Sequence, residues 1–251
     1  MRSQSDSRWH AVTTSTRPAG IAGVLAAVLL AGEFLFFTLS GFDQSTFNDP
    51  STALSFLSGH GTFVRAAVFV GACGVVATLV FLYGLRERLR ASTPTLSAST
   101  LYFGIVGNIG DGLVALSFWI GIPVFMTLAG RDPTAAQNSW GAFTALTGGY
   151  QGFGNLFQGL SLIAAGWAIV TWQALPRLLG AIALLAGIAA AASVVSVNAS
   201  VGFLVSIVLV IVFRVWSGIE LYRGGGTQTP SALAKRDPAN ALSHTGSASR
   251  T

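Results

Sequence analysis

Long apolar stretches recur along this chain and constrain its fold more than any other feature. A helix needs about 20 mostly apolar residues to cross the ~30 Å hydrocarbon core of a bilayer. Six windows meet that requirement, near residues 19–40, 63–85, 100–122, 150–172, 177–197 and 200–222. The first run is too long for a signal-peptide core, and no small-residue cleavage site follows it. The pattern therefore predicts an all-α, polytopic bundle of six transmembrane helices.

The composition supports a membrane environment. Of the 251 residues, 52% are hydrophobic and only 9% are charged, against roughly 25% charged residues in an average soluble domain. The formal net charge of +5 does not indicate a nucleic-acid partner, because the basic residues flank the apolar runs instead of forming one stripe. We therefore expect the lipid bilayer as the main partner, and no nucleic acid.

The basic residues also predict the orientation of the chain. With six crossings, nearly all of them fall on one side: Arg2, Arg8, Arg17, Arg86, Arg88, Arg90, Arg177, Arg223, Lys235, Arg236 and Arg250. The other side keeps only Arg65 and Arg131. The positive-inside rule then places both termini in the cytoplasm. This predicts a multi-pass protein of a plasma membrane, with a transmembrane domain over 18–222 and disordered cytoplasmic tails at 1–17 and 223–251.

Two of the predicted outer loops contain an Asp-Pro pair. Asp49-Pro50 precedes the second apolar run, and Asp132-Pro133 precedes the fourth. An Asp side chain accepts hydrogen bonds from free helix N–H groups, and Pro suits the first helical position. Each pair therefore predicts the start of a short surface helix.

Three ionisable residues, Glu33, Asp111 and Arg214, lie well inside predicted spans, and Arg65 lies close to the outer end of span two. A charge costs at least ~2.5–3.5 kcal/mol near the bilayer centre. A count at about 1.5 Å per residue places Asp111 and Arg214 at depths that allow an ion pair. The same count allows a second pair between Glu33 and Arg65, nearer the outer side.

These residues belong to a larger candidate polar network inside the bilayer: Glu33, Arg65, Asn108, Asp111, Asn155, Gln158 and Arg214. Small and polar residues recur at helical spacing in span three, and glycines crowd the start of span four, which indicates close packing or a partly unwound helix. Two interpretations stay open. The charges either fix the packing of the bundle, or line a cavity that exchanges protons or binds a cation.

Several chemistries lack the residues they need. The only lysine is Lys235, in the predicted tail, and the histidines at 10, 60 and 244 lie outside the predicted core. Cys73 is the only cysteine, so no cysteine cluster can hold a metal. No zinc-protease motif and no phosphate-binding P-loop is present. We therefore predict no catalytic residues, no metal and no cofactor, and enzymatic activity has no support.

Four segments carry a family resemblance: 31–34 (AGEF), 79–88 (LVFLYGLRER), 176–188 and 215–221 (VWSGIEL). In these segments the chain resembles a bacterial six-span membrane family catalogued as a domain of unknown function (four-three-eight-six). The resemblance implies the same six-helix architecture and brings no known activity or site residues.

Two hypotheses about function follow. One is a small transporter or carrier with an internal polar cavity, for a small-molecule substrate that the sequence does not identify. The other is a non-catalytic membrane subunit or sensor that packs through its glycine-rich helix faces against a second copy of the chain or a membrane partner protein.

Overall fold

The computed structural model describes residues 16–41, 47–194 and 199–224, and all regular structure in these ranges is helical. The helices are α1 Arg17–Leu39, α2 Pro50–Arg90, α3 Pro94–Ala129, α4 Pro133–Trp172, α5 Arg177–Ser193 and α6 Ala199–Gly224. Of the predicted tails, 1–15 and 225–251 lie outside the described residues. Helix α6 ends at Gly224, so the helical part of the chain reaches slightly further than predicted.

The two Asp-Pro pairs begin helices, but these helices are long. Asp49 accepts a hydrogen bond from the backbone N–H of Thr52 at 3.0 Å, and Asp132 accepts one from Ala135 at 3.0 Å. The hydroxyls of Thr52 and Ser51 also donate to Asp49, and these bonds lower its pKa to about 2. The expected short surface helices are not separate elements, because α2 and α4 continue without a break for 41 and 40 residues.

The helices form a closed ring. Each packs against its neighbours in sequence, and α1 packs against α6. The start of α1 meets the end of α6, where the Thr16 hydroxyl donates to the Leu221 carbonyl at 2.8 Å and the Arg17 guanidinium lies 5.9 Å from the Tyr222 ring centroid. Helix α2 also contacts α4 and α6 across the ring. The start of α1 and the end of α6 therefore lie at the same end of the bundle.

Glycines allow the closest helix contacts. A Cβ atom added to Gly187 would lie 2.6 Å from the carbonyl oxygen of Gly159, so α4 and α5 approach backbone to backbone at this point. Contacts of the same kind join three helix pairs: Gly20 with Gly218, Gly110 with Gly154, and Gly166 with Gly180. The glycine-rich part of α4 is continuous helix, so the alternative of a partly unwound start is wrong. Close packing explains part of the glycine content.

Helices α2, α3 and α4 extend well past α1. At 1.5 Å per residue the 41 residues of α2 measure about 60 Å, twice the thickness of a hydrocarbon core. The Phe36 and Phe63 rings, 5.1 Å apart, mark where α1 nears its end, so residues 50–62 of α2 continue beyond it. The extensions of the three helices share a hydrophobic core: Ala53, Leu54, Leu57, Val64, Ile122, Phe125, Ala136 and Trp140.

Trp140 is the centre of this hydrophobic core. Its side chain is 1% exposed, and its indole N–H donates to the Phe47 carbonyl at 3.0 Å. The rings of Phe125 and Phe143 lie 5.2 and 5.3 Å from it. By contrast, apolar side chains along the outer surface of the ring are exposed, among them Val28, Val76, Ile188 and Val208. This surface suits contact with lipid.

Candidate functional site

Polar side chains from four helices meet inside the ring. We call them the polar cluster: Glu33 from α1, Asn108 and Asp111 from α3, Gln158 from α4, and Arg214 from α6. These residues come from four different stretches of apolar sequence, and ring closure brings them together. The cluster contains five of the seven residues that the sequence singled out.

Asp111 connects the cluster electrostatically. It accepts a hydrogen bond from the side-chain amide of Gln158 and interacts with both Arg214 and Glu33 through charge. Its carboxylate occupies space left by Gly154, where an added Cβ would lie 2.6 Å from Asp111 Oδ1. No Arg214 nitrogen lies within 4.0 Å of a carboxylate oxygen of the described chain. Asp111 and Arg214 therefore interact without forming the direct ion pair that their depths allowed.

Glu33 does not pair with Arg65. Its carboxylate lies against Gly71 of α2, where an added Cβ would be 2.5 to 2.7 Å from the carboxylate atoms. Arg65 instead places its guanidinium 4.3 Å from the Trp119 ring centroid, and its Nε is buried without a hydrogen-bond partner. The expected Glu33–Arg65 pair is wrong because Arg65 and Gly71 lie six positions apart on α2. That separation turns the helix by about 240°, so the two residues occupy different faces.

A small, mainly apolar cavity adjoins the cluster on the side of Asn108, Gln158 and Arg214, and neither Glu33 nor Asp111 lines it. It has a volume of about 20 Å³ and is bordered by Thr78, Asn108, Gln158 and Arg214, among others. Such a volume holds a single water molecule. Asn108 is 3% exposed and donates to the Gly104 carbonyl at 2.7 Å, while Arg214 is 9% exposed. The interior is therefore tightly packed around the charged groups.

Asn155 lies outside the polar cluster. Its side chain is half-buried and makes no hydrogen bond to the described residues. Sequence reasoning also missed three contributors: Gly71 and Gly154, which make room for the two carboxylates, and Thr78 at the cavity. Thr78 could have been found from the sequence, because it is a hydroxyl residue within an apolar run. Gly71 and Gly154 could not, because a missing side chain does not reveal which neighbour fills its space.

The charges of the cluster do not balance. Two carboxylates, Glu33 and Asp111, face one guanidinium, Arg214. With all three groups ionised, the cluster carries a net charge of −1. Among the described residues, no group of three or more His, Cys, Asp or Glu side chains is arranged to hold a metal ion. The arrangement suits uptake of one proton or one monovalent cation.

Helix length and hydropathy define the class of protein. Five helices are long and apolar enough to cross a bilayer, and α5, with 17 residues, is a shorter apolar helix. These features indicate a multi-pass membrane protein in contact with lipid. Comparison of the chain with known protein families, with curated proteins and with solved structures finds no match. Any proposal about its activity must therefore rest on the site itself.

Proposed function

We propose that this protein is a small membrane carrier whose polar cluster binds and releases a proton or a monovalent cation. The observation that carries the proposal is the excess negative charge of the cluster, two carboxylates against one guanidinium. An uncompensated charge in a membrane interior is expensive, so neutralisation by a proton or cation is strongly favoured. Asp111 has the charge of Arg214 near it and a hydrogen bond from Gln158, whereas Glu33 has neither. We therefore assign Glu33 the role of the exchanging carboxylate.

The lack of a larger cavity beside the cluster, in the part of the chain that the structure describes, supports a small cargo. A cavity of about 20 Å³ accepts one water molecule and has no room for an organic solute. Glu33 and Asp111 are half-buried, whereas Arg214 is buried at 9% exposure. The two carboxylates are therefore the groups through which a proton or ion enters the cluster.

The proposal includes six crossings with both termini in the cytoplasm. An odd number of spans would separate the two ends of the ring, yet Thr16 is hydrogen-bonded to Leu221. With 17 residues, α5 is at the lower limit of about 17 for a span. Arg88, Arg177 and Arg223 lie at the helix ends that meet the start of α1, in keeping with a cytoplasmic face of a bacterial plasma membrane. The resemblance to the six-span family of unknown function agrees with this arrangement.

Ion flux in liposomes tests the carrier proposal. The purified protein is reconstituted with a pH-sensitive dye inside, and a pH gradient or an opposed Na⁺ or K⁺ gradient is imposed. We expect the wild-type protein to move protons and Glu33→Gln to be at least about tenfold slower. The matched control is Glu87→Gln, which removes a carboxylate that pairs with Arg86 at 2.9 Å outside the cluster.

Equal flux in the wild type and Glu33→Gln would refute the role of Glu33. No flux in wild-type liposomes under any of these gradients would refute the carrier proposal itself. An equal loss in Glu87→Gln would mean that the assay reports general damage and not the chemistry of the cluster. A melting curve in detergent checks that each variant is folded.

A second candidate function is a non-catalytic membrane subunit. Part of the surface of α4 carries small exposed residues at helical spacing, namely Gly141, Ala145, Gly148 and Gly149, and a Cβ on any of the three glycines would meet nothing within 4 Å. Small residues permit close helix contacts with another chain. Oxidative cross-linking of Ala145→Cys in a Cys73→Ser background would favour a dimer through this surface, and absence of any cross-link would argue against it.

A further inference from the structure

A second, larger pocket lies at the end of the bundle where α1 begins and α6 ends. It has a volume of about 300 Å³ and is formed by the end of α2, the connection between α4 and α5, and the end of α6. Its charged and amide side chains are Arg88, Gln173, Arg177 and Glu220. The volume is at the lower end of the range for small-molecule sites. None of these residues belongs to the polar cluster.

The arginines of the pocket are not engaged by carboxylates. Arg86 and Arg90, the neighbours of Arg88, lie 2.9 and 3.8 Å from Glu87. Arg88 and Arg177 have no carboxylate oxygen of the described chain within 4.0 Å. The end of α2 therefore carries three arginines with two roles. Arg86 and Arg90 pair with Glu87, whereas Arg88 borders the pocket.

Gln173 holds Arg177 in place. It is the one non-glycine residue of the described chain with a positive φ, 55°, and its side-chain oxygen accepts from Arg177 Nε at 3.3 Å and Nη2 at 2.5 Å when the amide is oriented to satisfy both groups. This left-handed backbone is the C-cap that ends α4, where the Gln173 N–H donates to the Ile169 carbonyl. Arg177 is also the first residue of α5, whose N-cap residue Pro176 offers no side-chain cap. Free N–H groups at a helix start favour an anion.

The charge and surroundings of the pocket identify its ligand class. Two guanidiniums and one carboxylate give a net charge of +1, which matches a phosphodiester with its single negative charge. Arginines on two helices bind phosphate oxygens well because of their planar, bidentate geometry. Apolar side chains next to the pocket residues are exposed, with Trp172 at 45%, Leu178 at 59% and Ile219 at 37%. The pocket therefore adjoins a surface suited to acyl chains.

We propose that this pocket binds a glycerophospholipid, with its phosphodiester held by Arg88 and Arg177 and its headgroup donating hydrogen bonds to Glu220. Basic pockets between helices at the cytoplasmic side of a membrane are suited to lipid headgroups. The carboxylate of Glu220 adds selectivity, because it accepts from the hydroxyls of phosphatidylglycerol or the ammonium of phosphatidylethanolamine. Phosphatidylcholine has the same phosphodiester and no headgroup donor, so it should bind more weakly. This inference does not depend on the ion-carrying role of the polar cluster, and it rests on the proposed cytoplasmic placement of these helix ends.

Native mass spectrometry of the full-length protein tests the pocket. The protein is released from detergent micelles containing phosphatidylglycerol, phosphatidylethanolamine or phosphatidylcholine, and bound lipid is counted. We expect the first two to bind about tenfold more tightly than the third. The double variant Arg88→Gln/Arg177→Gln should lose this binding, and Arg177→Lys should weaken it despite its retained charge. Glu220→Gln should reduce the preference over phosphatidylcholine.

The matched control is Arg86→Gln/Arg90→Gln, which removes the same charge from the same end of the bundle. Equal loss of lipid in this control would overturn the proposal, because binding would then reflect surface charge alone. Inorganic phosphate and glycerophosphoglycerol are added as soluble competitors. Displacement of lipid by either at millimolar concentration would make the pocket a site for a soluble phosphate and would overturn the assignment to lipid. Melting curves establish that both double variants are folded.

Discussion

At the scale of single residues, Arg214 decides the electrostatics of the interior. It is 9% exposed, makes no direct ion pair with any residue that the structure describes, and interacts by charge with Asp111. A buried cation of this kind is stabilised by the opposite charge near it, and removal of one partner leaves the other uncompensated. The interaction between the two residues is therefore measurable by a double-mutant cycle.

We expect Arg214→Gln to destabilise the protein by roughly 3–5 kcal/mol, because Asp111 and Glu33 then lie near each other without a cation. The double variant Arg214→Gln/Asp111→Asn should be less destabilised than Arg214→Gln alone. Unfolding in mild detergent with increasing denaturant measures the stability of Arg214→Gln, Asp111→Asn and the double variant. A double variant that loses as much as the sum of the two single variants would contradict the interaction.

At the scale of helices, glycines act in two ways that the sequence does not distinguish. Gly187 faces the backbone of α4, with an added Cβ 2.6 Å from the Gly159 oxygen. Gly148 lies on α4 itself with nothing within 4 Å of an added Cβ. Overlap with backbone cannot be relieved by a side-chain rotation, whereas open space accepts a methyl group without strain.

The two positions predict opposite effects of an added methyl group. Gly187→Ala should destabilise the protein by about 1–3 kcal/mol, because α4 and α5 must move apart. Gly148→Ala should stabilise it by up to about 1 kcal/mol, because alanine is the better helix former. Thermal unfolding of the two variants beside the wild type gives the comparison, and a loss of the same size in both would rule out the glycine contact as the cause.

At the scale of the whole molecule, three adjacent helices of the ring are much longer than the other three. Helices α2, α3 and α4 project together past α1, around Trp140. The proposed orientation places this projecting part outside the cytoplasm and the arginine-rich helix ends inside. Two exposed serines can report this orientation. Ser139 lies in the projecting part of α4, and Ser92 lies in the connection between α2 and α3 at the opposite end of the bundle.

Thiol labelling measures the orientation. Single cysteines at Ser139 and Ser92 in a Cys73→Ser background are treated with a membrane-impermeant reagent on sealed cells stripped of any outer barrier. We expect Ser139→Cys to react at once and Ser92→Cys to react only after the membrane is opened. The reverse pattern would place the termini outside, and reaction of both in sealed cells would mean that α3 does not cross the membrane.

The order of the amino acids alone predicts the helical class and the apolar runs, because a bilayer requires long apolar helices with their backbone groups satisfied internally. It also located the Asp-Pro helix starts, since a cap and a proline act on their own first turn. It singled out Glu33, Asp111 and Arg214, because a charge in an apolar run is conspicuous wherever it folds. These are local properties, readable without knowledge of the neighbours.

Which of these residues meet depends on how the helices pack in three dimensions. Depth along a helix follows from counting, but the facing direction depends on the rotation of each helix against the next, so Glu33 came to lie against Gly71 and Arg65 against Trp119. The length of α2 and α4 beyond the apolar runs likewise depended on a partner surface, the core around Trp140. The closed ring has the same origin, because contact of α1 with α6 joins positions about two hundred residues apart, such as Thr16 and Leu221.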